Sequence, residues 1–255
     1  NTSSGGPCGV RVVPYALFVV SLFATVTLSA CRTALPQYSW EGQDAALATM
    51  LSYDRIQTFS AACRMTMISE TKKKLRLDGA VAASLPGHFR IQTWKFGRNA
   101  FDLIVTPEAN WVAASSQLKE HKSEESLDFE SLWSWLNLNQ MLDHSYDIVR
   151  SNLRSVTLGP KQLGSAPLGF EPGDYLVIDK RTRTCRRFYR IDQNGNIIMS
   201  VSLSDWTLID DRPWPLRLIA TSNLGQVDLR FEDVMLNQRL PETAFQPPRQ
   251  AIQIK

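Results

Sequence analysis

The residues of this chain best suited to chemistry are its cysteines and histidines. The chain has four Cys and three His among 255 residues. His88, His121 and His144 have no neighbour at metal-ligand spacing, and the cysteines show no zinc-type pattern. Cys63 and Cys185 could form one disulfide in an exported protein, but nothing in the sequence brings them together. The sequence therefore predicts no metal site and leaves the disulfide open.

Catalytic motifs are equally scarce. Residues 159–165 (GPKQLGS) have the outline of a phosphate loop but lack the lysine required after its second glycine. No G-x-S-x-G stretch occurs, and Asp210-Asp211 lie where a turn is expected, a common place for Asp. The sequence therefore predicts no catalytic residue and no cofactor, so we expect a protein that is not an enzyme.

Cys31 stands apart because of what precedes it. An apolar run over residues 12–28 follows Arg11, no acidic residue lies upstream of Cys31, and the run closes on small residues. This arrangement is typical of a secretory signal peptide. A transmembrane helix is the alternative, since residues 12–30 are just long enough to cross a bilayer. The polar residues within the run, and the lack of a Lys or Arg cluster after it, favour the signal peptide.

The four residues Leu28-Ser29-Ala30-Cys31 also resemble a bacterial lipobox. The resemblance implies that the Cys31 sulfur carries a diacylglyceryl group and that the chain is cut before Cys31 and acylated there. Arg32 follows, rather than the aspartate that retains many lipoproteins at the inner membrane. We therefore expect a lipid anchor at Cys31 in the bacterial outer membrane, facing the periplasm.

Charge and length define the rest of the chain. Residues 1–30 are predicted to be the signal peptide, residues 31–40 the anchor and linker, and residues 41–255 a single domain. Without residues 1–30 the chain has 27 basic residues (28 − 1) against 25 acidic ones. This near-neutral balance predicts no nucleic-acid partner.

The chain beyond the linker mixes a little helix with many strands. Residues 43–51 have a helical composition, and residues 127–142, which include Trp133 and Leu136, are the second helix candidate. Period-two apolar patterns and turn signals predict the strands, at residues 74–83, 89–96, 101–106, 111–114, 175–179, 185–191, 197–203, 216–221 and 227–236. Asn194-Gly195 is the strongest hairpin signal. These elements predict a mainly β fold of the α+β class, with an antiparallel sheet.

The predicted strands have one apolar face each, which suits a sheet wet on one side. Only two helices are available to cover that face. It is therefore either an ordinary filled core, which burial statistics favour, or the wall of a cavity for an apolar molecule. The strand patterns leave both interpretations open.

Several stretches, in order along the chain, resemble the LolA/LolB lipoprotein-sorting family. Ile56, Phe59 and Ala61 stand in a family-like step from the N-terminal helix into the first strand. The stretch from Leu77 (LDGAVAASLPGHFRIQTW) resembles the second and third strands, the stretch FDLIVTPEANWV resembles the next hairpin, and Phe245-Gln246-Pro247-Pro248 resembles the closing segment. Together with the lipobox, the resemblance points to a lipid-anchored member like LolB.

The resemblance implies a strongly curved half-barrel with a helical lid over an apolar cavity. We expect a monomer that takes acyl chains or lipoproteins, with a periplasmic carrier protein as a possible partner. The expected cavity residues are Leu77, Phe89, Ile91, Leu103, Val201, Leu203, Leu229 and Phe231 in the wall, with Trp133 and Leu136 in the roof. The alternative is a structural envelope lipoprotein whose half-barrel has a filled core and serves as an interaction module.

The chain departs from the family at one turn. The carrier has an arginine before the proline of the second turn, whereas this chain has Leu85. An apolar residue there could reach a membrane or a partner as a transfer loop. The alternative is a leucine folded back onto the sheet.

Overall fold

The structure, a computed structural model, describes residues 35–40, 56–85, 87–114, 146–160, 171–223 and 225–254. These residues form strands, turns and irregular segments. Thirteen strands occur in chain order, and their bounds are β1 Thr58–Ser69, β2 Lys74–Ser84, β3 His88–Lys95, β4 Arg98–Val105, β5 Asn110–Ala114, β6 Tyr146–Ser151, β7 Ser155–Pro160, β8 Gly173–Asp179, β9 Cys185–Ile191, β10 Ile197–Ile209, β11 Arg212–Ser222, β12 Gly225–Leu236 and β13 Ile252–Ile254.

All thirteen strands belong to one open antiparallel sheet. Their order is β13-β5-β4-β3-β2-β1-β12-β11-β10-β9-β8-β7-β6. Most neighbours are consecutive along the chain, but β1 pairs with β12 through ten residue pairs from Phe59 to Ser69. This long-range pairing joins the two meanders, so the first and twelfth strands lie at the centre of the sheet.

The predicted α+β class with a helical lid is wrong. The described residues contribute strands and no helix. Strands occupy even stretches whose sequence carries weak strand signals, namely β6, β7 and β13, because pairing with the neighbouring strands stabilises them. The two predicted helices, residues 43–51 and 127–142, lie outside the described residues. None of the residues that the structure describes forms a helix long and apolar enough to cross a membrane.

One face of the sheet, called here the inner face, carries the main hydrophobic core. β1 shows how the sequence builds it, because Phe59, Ala61, Cys63 and Met65 are buried while the residues between them are half-buried or exposed. The same period of two continues in β2, β3, β10 and β12. Side chains of a strand alternate between faces, so each of these strands contributes every second residue to one cluster.

The outer face is covered where the C-terminal segment crosses β3 and β4. The Arg90 guanidinium donates to both carboxylate oxygens of Asp102, at 2.9 and 2.7 Å, and to the carbonyl oxygen of Ala244 at 2.9 Å. The rings of His88 and Phe245 lie 5.3 Å apart. The segment then ends as β13, which pairs with β5. The family-like stretch around Phe245 thus acts as an outer strap on the sheet.

Candidate ligand-binding face

The eight predicted wall residues all lie on the inner face and are buried. Their exposed fractions run from 0% for Val201 and Leu229 to 5% for Phe89. All eight belong to one hydrophobic cluster. The structure therefore brings them together in one core cluster, while their role as the wall of a cavity stays a prediction.

Strand register aligns several of these residues in a row. Leu77 is opposite Met65, and Met65 is also opposite Leu229. Leu229 is opposite Leu218, which in turn is opposite Leu203. Directly opposed side chains on one face lie about 4.5–5.5 Å apart, so this row of five forms a continuous apolar band across β2, β1, β12, β11 and β10.

A second row of the inner face has small residues at its centre. Cys63 is opposite Gly79 on one side and Phe231 on the other, and Gly79 is opposite Thr93. A Cβ at Gly79 would lie 2.7 Å from the carbonyl oxygen of Gln92 and 3.1 Å from the Cys63 sulfur. A larger side chain does not fit at this position, because atoms of Gln92, Cys63 and Thr93 already occupy the space above Gly79.

Several core residues of this face were not predicted from the sequence. Phe59 contacts Trp214, with ring centroids 5.0 Å apart, and meets Phe231 at 6.5 Å. Trp214 is completely buried, but it stands between Pro213 and Pro215, which argue against a strand. For Phe59, the alternation of apolar and polar residues along β1 was a signal from which its burial could have been predicted.

The two thiols of the described residues are free and buried. Cys63 lies in β1 and Cys185 in β9, with three strands between them in the sheet. Burial raises the pKa of Cys63 to about 12, with a smaller contribution from the carboxylates of Asp78 and Glu232. Burial likewise raises the pKa of Cys185 to about 12. The disulfide left open by the sequence is not formed, and both groups are protonated thiols at neutral pH.

Other predicted site residues have mixed placements. Leu85 is half-buried in the turn after β2, where it packs against the main core cluster and its N–H donates to the Gln57 carbonyl oxygen at 2.7 Å. This contact favours a leucine folded back onto the sheet, while its role in a transfer loop stays a prediction. Cys31, Trp133 and Leu136 lie outside the described residues.

The Asp pair and the first glycine of the glycine-rich stretch considered above for chemistry lie in a turn and against a tyrosine ring, respectively. Asp210 and Asp211 lie in the β10–β11 turn, both with positive φ. Gly159 lies beneath the Tyr175 ring, since a Cβ there would meet ring carbons at 2.3 and 2.4 Å. Within the described part of the chain, no group of three or more His, Cys, Asp or Glu could hold a metal ion.

Solved structures share this fold at low sequence identity. A DUF1329 family protein from Desulfovibrio piger matches with a TM-score of 0.56 and 13% identity, over 79% of this chain and 94% of that one. An outer membrane lipoprotein-sorting protein domain from Vibrio parahaemolyticus matches with a TM-score of 0.53 and 8% identity, over 80% and 95%. A LolA superfamily protein from Nitrosomonas europaea gives 0.50 and 14%, over 78% and 96%.

No family model and no curated protein matches the chain by sequence. The comparison therefore rests on structure, and at these identities it establishes the fold. The chain has the open-sheet fold of LolA-like proteins, so the resemblance predicted from the sequence is confirmed at that level.

Proposed function

We propose that this chain is a lipid-anchored envelope protein that binds acyl chains, or the acyl chains of lipoproteins, against the inner face of its sheet. The observation that carries the proposal is a continuous apolar inner face on an open sheet of LolA-like fold. The neighbours' names include lipoprotein sorting and the LolA superfamily. Transfer or insertion of lipoproteins or lipids is the role that this binding would serve.

The chemistry of the inner face supports an apolar ligand. The row from Leu77 to Leu203 presents only aliphatic and thioether side chains. The small residues Cys63 and Gly79 lie in the neighbouring row of the same face. Burying apolar surface contributes about 0.8 kcal/mol for each CH₂ group, so an acyl chain needs no polar partner for retention.

The membrane anchor is the second part of the proposal, and it rests on the sequence around Cys31. One acyl chain alone gives only marginal membrane binding, so a diacylglyceryl group plus an N-acyl chain is the arrangement that holds a protein stably. We place the anchored protein in the outer membrane, facing the periplasm, where a carrier protein could deliver cargo. Cys31→Ala should give unprocessed or soluble protein, and wild-type cleavage and membrane fractionation of this variant would exclude the anchor.

The binding test uses Val201, which is completely buried at the middle of β10. Val201→Trp should fill the ligand space and lower the binding of a fluorescent fatty acid, measured by titration, with a modest fall in stability. Ser202→Trp is the matched control, because Ser202 is the next residue of the same strand and points to the other face. The control should bind the fatty acid like wild type.

A filled core is the second candidate, and one observation favours it. The inner-face residues Val201, Leu218 and Leu229 are completely buried by other parts of the protein. In a filled core, Val201→Trp would be overpacked at a cost of about 1–3 kcal/mol, and wild type would bind no apolar probe. That pair of results would replace the carrier function with an interaction module.

A further inference from the structure

Two neighbouring turns form a basic surface with an apolar tip. The β6–β7 turn carries Leu153, whose side chain is 99% exposed. The β8–β9 turn is hydrogen-bonded to it, because the Lys180 N–H donates to the Arg154 carbonyl oxygen at 2.9 Å and the Lys180 Nζ donates to the Ser151 Oγ at 2.9 Å. We call these two turns with their flanking residues, 150–154 and 179–187, the basic tip.

The charge of the basic tip is strongly one-sided. It has seven basic residues and a single acidic one, Asp179. The Asp179 carboxylate is already occupied, because it accepts hydrogen bonds from the N–H groups of Arg181 and Thr182, both at 2.9 Å, and lies 3.3 Å from the Arg186 guanidinium. Most of the cations, such as Arg154 and Arg181, are exposed.

The segment that follows Cys31 is attached to the same tip. The Tyr38 N–H donates to the Arg181 carbonyl oxygen at 2.8 Å, and Arg183 donates to the Ser39 carbonyl oxygen at 2.9 Å. The Arg183 guanidinium also lies 4.6 Å from the centre of the Tyr38 ring. The linker therefore reaches the sheet at the basic tip.

Chain length then limits how far this tip can be from the proposed anchor. Seven peptide units separate Cys31 from Tyr38, and a fully extended chain of that length spans at most about 25 Å. The opposite end of the sheet is a further strand length away, about 26 Å for the eight residues of β3. An anchored protein therefore has the basic tip near the membrane.

From these observations we propose that the basic tip docks on an anionic phospholipid surface, with Leu153 inserted among the headgroups and the surrounding Arg and Lys side chains on the phosphates. Basic side chains around an apolar residue suit such a surface, since they place charge at the headgroups and apolar atoms below them. The orientation part of the argument rests on the proposed anchor at Cys31, whereas the charge and the exposed Leu153 do not.

The opposite end of the sheet provides a matched control. Phe96 is 94% exposed in the β3–β4 turn, and its neighbours Lys95 and Arg98 are basic. Since all strand pairs are antiparallel, the β3–β4 turn and the β6–β7 turn lie at opposite ends of the sheet. The two tips resemble each other in exposure and in the sign of their charge, and the contacts of the described linker residues Tyr38 and Ser39 are with the basic tip.

The experiment places a fluorophore at each tip of the lipidated full protein. Leu153→Cys and Phe96→Cys are labelled with an environment-sensitive maleimide at neutral pH, where the buried thiols of Cys63 and Cys185 are protonated and poorly reactive. Vesicles of phosphatidylethanolamine with phosphatidylglycerol carry a nitroxide-labelled lipid as quencher, and phosphatidylcholine vesicles are the neutral control.

We expect a blue shift and strong quenching of the label at residue 153, and no change at residue 96. Arg154→Glu combined with Arg181→Glu should reduce the quenching at residue 153 to its value in neutral vesicles. High salt should act in the same direction, since it screens exposed charges. Quenching at residue 96 instead, at both tips or at neither would overturn the proposal.

The parent protein separates this result from failure of the anchor. If the Cys31 sulfur is free rather than acylated, the parent protein will take up the label and stay in the supernatant without vesicles. The tip is then tested without an anchor in a Cys31→Ala background, where residue 31 takes up no label. Quenching at residue 153 that depends on phosphatidylglycerol supports the proposal, and the absence of quenching overturns it. Binding of the fatty acid probe is a third, separate measurement that concerns only the inner face.

Discussion

The two faces of the sheet are stabilised in different ways. The inner face is one apolar cluster that runs from β4 to β7 across the sheet order, with Phe59, Trp214 and Leu229 completely buried. The outer face carries ion pairs and two smaller covered patches. One patch lies under the C-terminal strap at Arg90, and the other is a cluster around the stacked rings of Tyr175 and Tyr189, 5.2 Å apart.

This difference separates the parts of the molecule that hold it together from those available for contacts. The free energy gained by burying apolar side chains is proportional to the area buried, and it stabilises the whole inner face. Ion pairs contribute according to their exposure, which varies widely on the outer face, from a completely buried carboxylate at Asp102 to a largely exposed guanidinium at Arg64. The outer face should therefore tolerate substitution except where a charge is buried.

The largest effect should come from Arg90→Ala, which breaks the rule that outer-face changes are mild. The Asp102 side chain is 0% exposed, so the variant leaves a buried carboxylate without its bidentate partner and removes the contact to Ala244. Breaking a buried pair in this way costs about 3–5 kcal/mol. Chemical denaturation would measure the loss, and an unchanged unfolding free energy would show that solvent reaches Asp102.

Leu229→Ala tests the inner face itself. Leu229 is completely buried in β12 between Met65 and Leu218, so the truncation should cost about 2–5 kcal/mol, depending on how far the site collapses. The same denaturation assay applies. A value near the lower bound, together with retained fatty acid binding, would indicate that ligand space already lies beside this residue.

Alkaline pH should weaken the inner face through its two thiols. Burial raises the pKa of Cys63 and Cys185 from 9.0 to about 12, so above pH 9 the unfolded chain ionises these groups while the folded chain keeps them protonated. The unfolding free energy should then fall as pH rises between 9 and 12, by at most about 1.4 kcal/mol per pH unit for each thiol. Denaturation at several pH values would show the slope, and Cys185→Ala should reduce it.

The smallest effects should come from the exposed and half-buried ion pairs of the outer face. Arg64 and Glu232 have side chains 68% and 48% exposed, and Arg217 and Asp228 are 30% and 19% exposed. Exposed pairs contribute about 0–1 kcal/mol, so Arg64→Ala should be nearly silent and Arg217→Ala only slightly worse. A loss at Arg64 equal to that of Arg90→Ala would contradict the assignment of stability to burial.

Much of the strand layout could be predicted from residue types. Alternation along Ile197 to Leu203 and along Val227 to Phe231 placed β10 and β12 and identified their buried residues. Asn194-Gly195 lies in the β9–β10 turn, and Gly195 has φ +80°, as a tight hairpin requires. β6 and β7 were missed, because their turn at Asn152 to Ser155 has no glycine and is instead held by the Asn152 side chain, which accepts from the N–H of Arg154 and Ser155.

By itself the sequence determined which face of each strand is apolar, because a period of two follows directly from strand geometry. It also determined the lipobox-like stretch at Cys31 and the lack of catalytic motifs. Only the tertiary structure decided that β1 pairs with β12, that Cys63 and Cys185 lie on strands with three others between them, and that Tyr38 meets Arg183 in the basic tip. The physical reason is that pairing and docking join residues far apart along the chain, and local patterns carry no information about such partners.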